Sequence, residues 1–153
     1  MELVSLAGVY AGTFLFCAMS GLVPVFNAEV FVLYLGATAK HSQLPALVLL
    51  AAVGQMCAKV VLYYAGRGVL KLPLGRFQAR IDSMKARFSS PGKTAGGVTF
   101  MSALTGLPSF YGMAVLAGTL GWPLSRFLAV GVVGRILHFA VLVFLPGVVK
   151  GIL

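Results

Sequence analysis

Long stretches without charge dominate this sequence. Residues 3–39 carry one charged side chain, Glu29, and residues 41–58, 94–125 and 136–149 carry none. A water-soluble domain needs polar side chains on every outward face, and soluble chains are typically about 25% charged. Here charged residues make up 10% and apolar residues 59%, with a mean hydropathy of +0.99. Intrinsic disorder is excluded by the same figures, because it needs low hydrophobicity and high charge. The chain reads as a single-domain, all-α integral membrane protein.

Length divides the uncharged runs further. A spanning helix needs about 20 residues. The 37 residues of 3–39 exceed one span but fall short of two with a turn. Ser20-Gly21-Leu22-Val23-Pro24 and Asn27 interrupt that run, and Thr105-Gly106-Leu107-Pro108 interrupts 94–125. Each run therefore predicts a re-entrant helical hairpin, near 21–38 and near 97–120, breaking at Gly21 and Pro24 and at Gly106 and Pro108. About three spanning helices accompany them, over 3–20, 44–66 and 127–145. The breaks belong to a repeat: Pro24 parallels Pro108, Gly36 parallels Gly118 and Gly54 parallels Gly134, at offsets of 84, 82 and 80 residues. Broken apolar segments at corresponding places in two halves point to a transporter-like site.

Charge sets the expected orientation. Residues 67–93 hold Arg67, Lys71, Arg76, Arg80, Lys85, Arg87 and Lys93 against a lone Asp82. This connector, between a first half at 1–66 and a second at 94–153, should be cytoplasmic. The halves then have opposite topology, with Lys40 external and Arg126 internal. Leu74, Phe77, Ile81, Met84 and Phe88 recur at spacings of 3 and 4, with basic residues between them. A basic amphipathic helix over 74–88 follows, lying on anionic lipid headgroups or packing on the bundle's cytoplasmic end. The excess of 12 Lys+Arg over 3 Asp+Glu fits lipid headgroups and the positive-inside rule; no soluble surface is large enough for nucleic acid. The expected location is the cell inner (plasma) membrane. Met1-Glu2-Leu3 lacks a signal peptide's basic start and Ala18-Met19-Ser20 is a weak cleavage match, so the first segment reads as a retained helix.

Few residues can carry chemistry. A carboxylate within lipid costs a few kcal/mol, about 2.5–3.5 for comparable groups, and intramembrane ionisable residues mark pathways or proton relays. Glu29 is therefore the candidate transport or proton site, or else one half of an ion pair with Lys59 or Arg135. Arg135 keeps its proton and needs a carboxylate or a phosphate. Lys59 is a weaker version of the same case and could instead snorkel. His138, one turn from Arg135, is a possible relay or a hydrogen-bonded helix contact. Gly8 and Gly12 allow close helix packing or a homodimer seam. Cys17 and Cys57 read as small hydrophobes. Pro91-Gly92-Lys93-Thr94 is no P-loop, because that motif needs glycine where Arg87 stands. The sequence holds no metal-ligand cluster, nucleophile motif or dinucleotide fingerprint, so neither an enzyme nor a cofactor is expected.

Phe16-Cys17-Ala18-Met19-Ser20-Gly21-Leu22-Val23-Pro24, followed by Asn27-Ala28-Glu29-Val30, resembles the DedA superfamily (the VTT-domain, or SNARE-associated Golgi, family), and within it the small YqaA-like bacterial branch. Gly97-Val98-Thr99, Leu107-Pro108, Leu116-Ala117-Gly118, Trp122, Arg126-Phe127 and Gly134-Arg135 extend the likeness, which covers roughly residues 14–142. The resemblance implies facing re-entrant hairpins and movement of phospholipid or polyprenyl-phosphate headgroups across a bilayer, by flippase or scramblase action. It also implies roles for Glu29, as the first hairpin's acidic residue, and for Arg135. Many relatives carry an acid after the second hairpin's proline. Ser109-Phe110-Tyr111-Gly112-Met113 supplies none, which favours passive movement over a two-carboxylate proton coupling. In the headgroup reading Arg135, Lys59 or Arg126 contacts the phosphate. The alternatives are a small proton-coupled exporter of cationic solutes and a non-transporting membrane scaffold.

Overall fold

A computed structural model describes residues 2–23, 26–68, 79, 82, 83, 86, 93–107 and 109–152. Every regular element among them is an α-helix: α1 (Glu2–Leu22), α2 (Ala28–Thr38), α3 (Leu44–Gly66), α4 (Lys93–Thr105), α5 (Phe110–Thr119) and α6 (Leu124–Ile152). The predicted amphipathic helix over 74–88 falls largely outside the described residues. The four described positions within it, Ala79, Asp82, Ser83 and Ala86, are helical and exposed.

Among the described residues two helices, α3 over its 23 residues and α6 over Leu124–Phe144, are long and apolar enough to cross a membrane. The helix expected over 3–20 is α1, Glu2–Leu22, which extends into the region expected to open the first hairpin. The break expected at Gly21 is not there: α1 runs unbroken past Ser20 and Gly21, and Val23 N–H still donates to Met19 O at 2.9 Å. Gly21 is a packing residue: a Cβ there would lie 2.6 Å from the Ala58 Cβ and 3.2 Å from the Gln55 carbonyl oxygen. The break falls at 23–27, and α2 follows as a single short helix. Pro24 and Pro108 lie outside the described residues. Gly106 has the terminating role its position suggests: at φ 76° it ends α4, donating to Ser102 O at 2.9 Å. At the end of α5, Gly121 at φ 67° donates to Gly118 O while Trp122 N–H donates to Ala117 O at 2.9 Å, the paired bonds of a Schellman cap.

Packing divides the chain differently from charge. One compact unit comprises Met1–Ala58 with Arg135–Leu153, and the other Lys59–Gly134. Both α3 and α6 therefore contribute part of their length to each unit.

Inside the first unit, α1 and α3 meet closely at Gly54, where a Cβ would lie 2.5 Å from Phe14 O and 3.4 Å from the Cys17 Cβ. Gly36 of α2 lies against Val143 of α6. Cys17, Val32, Ala51, Ala52 and Phe139 fill the core between these helices.

Inside the second unit the same contacts recur in shifted numbers. A Cβ on Gly134 would lie 2.6 Å from the Ala103 Cβ and 3.3 Å from Phe100 O, and Gly118 of α5 lies against Tyr63 O of α3. Phe14 and Phe100, like Cys17 and Ala103, are 86 residues apart; Gly36 and Gly118 are 82 apart; Gly54 and Gly134, like Tyr63 and Val143, are 80 apart. Burial follows the same registers. Thr13 and Thr99 are both enclosed, and Ala28, Val32 and Leu35 match Phe110, Ala114 and Ala117. The units are built alike, helix by helix.

Candidate functional site

Asn27 starts the site. Its Oδ1 accepts from Glu29 N–H at 2.9 Å and from Val30 N–H at 3.4 Å, capping α2. Glu29 thus occupies the first turn of α2, at the positive end of the helix dipole, where a carboxylate is favoured. Its Oε1 lies 3.2 Å from Nε2 of His138 on α6. The His138 side chain is 13% exposed and that of Glu29 46%. A neutral imidazole with hydrogen on Nε2 donates to the carboxylate; a protonated one makes an ion pair with it.

Arg135 lies one turn earlier on α6. It is 6% exposed, and its guanidinium carbon stands 5.8 Å from the Phe139 ring centroid. The Glu29 charge also acts on this guanidinium. The first unit therefore gathers a carboxylate, an imidazole and a permanent cation. Such a trio can hold or pass a proton between Glu29 and His138, or offer a phosphate a cation and an imidazole donor. Of the two partners expected for Glu29, Arg135 is in electrostatic reach; the close contact is made by His138, expected as a relay.

Lys59 belongs to the second unit. It is 5% exposed, so it does not snorkel outward. Its ammonium sits 5.9 Å from the Phe110 ring centroid and 5.4 Å from that of Tyr111, a cation–π arrangement. Tyr111 stands 82 residues after Glu29, so an aromatic ring takes the carboxylate's place in the second unit, while Lys59 corresponds at the offset of 80 to Phe139 and not to His138. Arg126 is exposed near the start of α6. Gly21 and Gly106 serve packing and capping. Cys17 is buried and Cys57 exposed, both as free thiols. Among the described residues no three His, Cys, Asp or Glu side chains group as a metal site.

Among the residues that the sequence singles out, Gln55 is missing and Ser20 figures only as part of an interruption; the two are a buried polar pair linking α3 to α1. The repeat held the signal: Gln55 follows Gly54 as Arg135 follows Gly134. Comparison with protein-family models, curated proteins and solved structures returns no match, so the DedA resemblance stands on its sequence motifs alone.

Proposed function

We propose that this chain is a multi-pass membrane protein that moves lipid headgroups bearing a phosphate across a bilayer, as a flippase or scramblase, with Glu29 as its ionisable site. The observation that carries the reading is the Glu29–His138 contact at 3.2 Å, with Glu29 half exposed in a chain whose described helices are predominantly apolar. A headgroup or proton site must stay reachable, and Glu29 does. Exposed Leu15, Met19, Tyr34, Val133 and Val141 suit an exterior solvated by lipid tails. The interrupted pairs α1–α2 and α4–α5 suit re-entrant hairpins, and the motif resemblance points the same way. In this reading the membrane is the cell inner membrane and 67–93 faces the cytoplasm.

Basic neighbours favour an anionic headgroup over a cationic solute. Arg135 and His138 flank the carboxylate, and a cation exporter would be served better by a carboxylate without them. Reconstitution into liposomes containing fluorescent phospholipid tests the reading, with dithionite quenching the exposed leaflet. Loss of the protected fraction in protein-containing vesicles is expected. Protection equal to that of empty vesicles overturns the proposal and leaves the exporter or scaffold readings.

A further inference from the structure

We propose that the Gln55 carboxamide and the Ser20 hydroxyl form an internal hydration site in the first unit, occupied by a water molecule that donates to Gln55 Oε1. Gln55 is 6% exposed and Ser20 8%. Gln55 Nε2 donates to Ser20 Oγ at 3.4 Å, and Ser20 Oγ donates to the Cys17 carbonyl at 2.9 Å. The chain ends there, because the enclosed Gln55 Oε1 accepts no hydrogen bond among the described residues.

Turning the amide over does not remove the need for a partner. The Ser20 hydrogen is committed to Cys17 O, so a reversed amide would face oxygen to oxygen and leave its NH2 group unserved. A buried amide atom without a partner is costly in an apolar interior, and such atoms are commonly served by ordered water. Its buried neighbours on α3 are the apolar Ala51, Ala52, Met56 and Ala58 and, one turn on, the cationic Lys59. None of these is a carboxylate, so a metal or ammonium ion would have no counter-charge there, and an amide oxygen does not attract an anion; the occupant is a small neutral donor. Water is that donor.

The location gives the water a purpose. Gly21 packs on the Gln55 backbone and on Ala58, so the pair lies at the end of α1, just before the break at 23–27. Irregular backbone at membrane depth must be covered by protein or by water. The repeat makes the polar choice harder to dismiss as chance, since Arg135 takes the corresponding place 80 residues on and is equally enclosed. Hydration at a hairpin break rests on the membrane reading above, but its test needs no lipid movement.

Gln55→Cys is placed in full-length protein carrying Cys17→Ala and Cys57→Ser, and its reaction with methanethiosulfonate ethylammonium is timed. The reference is protein carrying Cys57→Ser alone, whose Cys17 is packed and apolar. Reaction at position 55 at least tenfold faster than at Cys17 is expected, because the reagent attacks a hydrated thiolate. A smaller ratio overturns the proposal. Should Gln55→Cys fail to fold, Gln55→Met is compared with Gln55 in a Ser20→Ala background, which removes the Ser20 contact from the balance. A dry, unpartnered amide predicts a higher Tm for the methionine variant, and that result overturns the hydration site. An unchanged or lower Tm is expected.

Discussion

The Glu29 carboxylate meets His138 across 109 positions of sequence, and its effect on Arg135 follows from the same docking of α2 on α6. Glu29→Gln keeps a side chain of similar size that still bonds His138, so yield and Tm should change little, by about 1 kcal/mol or less. Lipid transfer in proteoliposomes should nonetheless fall at least tenfold, because the amide cannot exchange a proton. Undiminished transfer in a normally folded variant would remove Glu29 from the mechanism. If the carboxylate serves chiefly to hold Arg135, the yield of Glu29→Gln falls instead, and adding Arg135→Gln restores it. That Glu29 mattered was legible from one acid in an apolar run. Its partner was not, because Lys59, Arg135 and His138 are all basic residues in or beside the same apolar runs. Only the register of α2 against α6 selects among them.

Element boundaries were legible wherever one signal acted alone. The limits of α3, Leu44–Gly66, are those of the expected span 44–66, which stops where the basic block opens at Arg67, whereas Asn27, expected only as an interruption, caps α2. Gly21 misleads because glycine both interrupts helices and lets them touch, and only the neighbouring helix decides which. The touching glycines can be tested against an exposed one. Gly54→Ala would place a methyl 2.5 Å from Phe14 O and should cost about 1–3 kcal/mol, read as a lower Tm in detergent. Gly12 has nothing within 4 Å. Gly12→Ala should therefore leave the Tm unchanged or raise it, as helix propensity alone favours alanine by up to about 1 kcal/mol. A shift in oligomeric state with Gly12→Ala would mark that face as the dimer seam the sequence suggests. The connector yields a separate prediction. A peptide of residues 74–90 should gain helicity on anionic vesicles and lose it at high salt, since each basic residue near a charged surface contributes about 1 kcal/mol. Equal helicity on neutral vesicles would assign the segment to protein packing.

At the scale of the molecule, the repeat was visible as three offsets between glycines and prolines, but the exchange of helix halves between compact units was not. Charge runs mark where the chain leaves the apolar phase, whereas packing depends on which surfaces meet, and α3 serves both units without any break at Ala58 and Lys59. Twenty-three residues at 1.5 Å each make α3 about 35 Å long, enough for a hydrocarbon layer of about 30 Å. If it spans, its two ends lie on opposite sides. Lys40 lies before that helix and Ala79 beyond it, and both are exposed. In protein with Cys17→Ala and Cys57→Ser, Lys40→Cys should react with a membrane-impermeant maleimide added outside cells, and Ala79→Cys only after permeabilisation. The cost of moving the basic residues of 67–93 outward fixes the direction. Labelling of both positions from one side would mean that α3 does not cross, and the opposed topology of the two halves would fall with it.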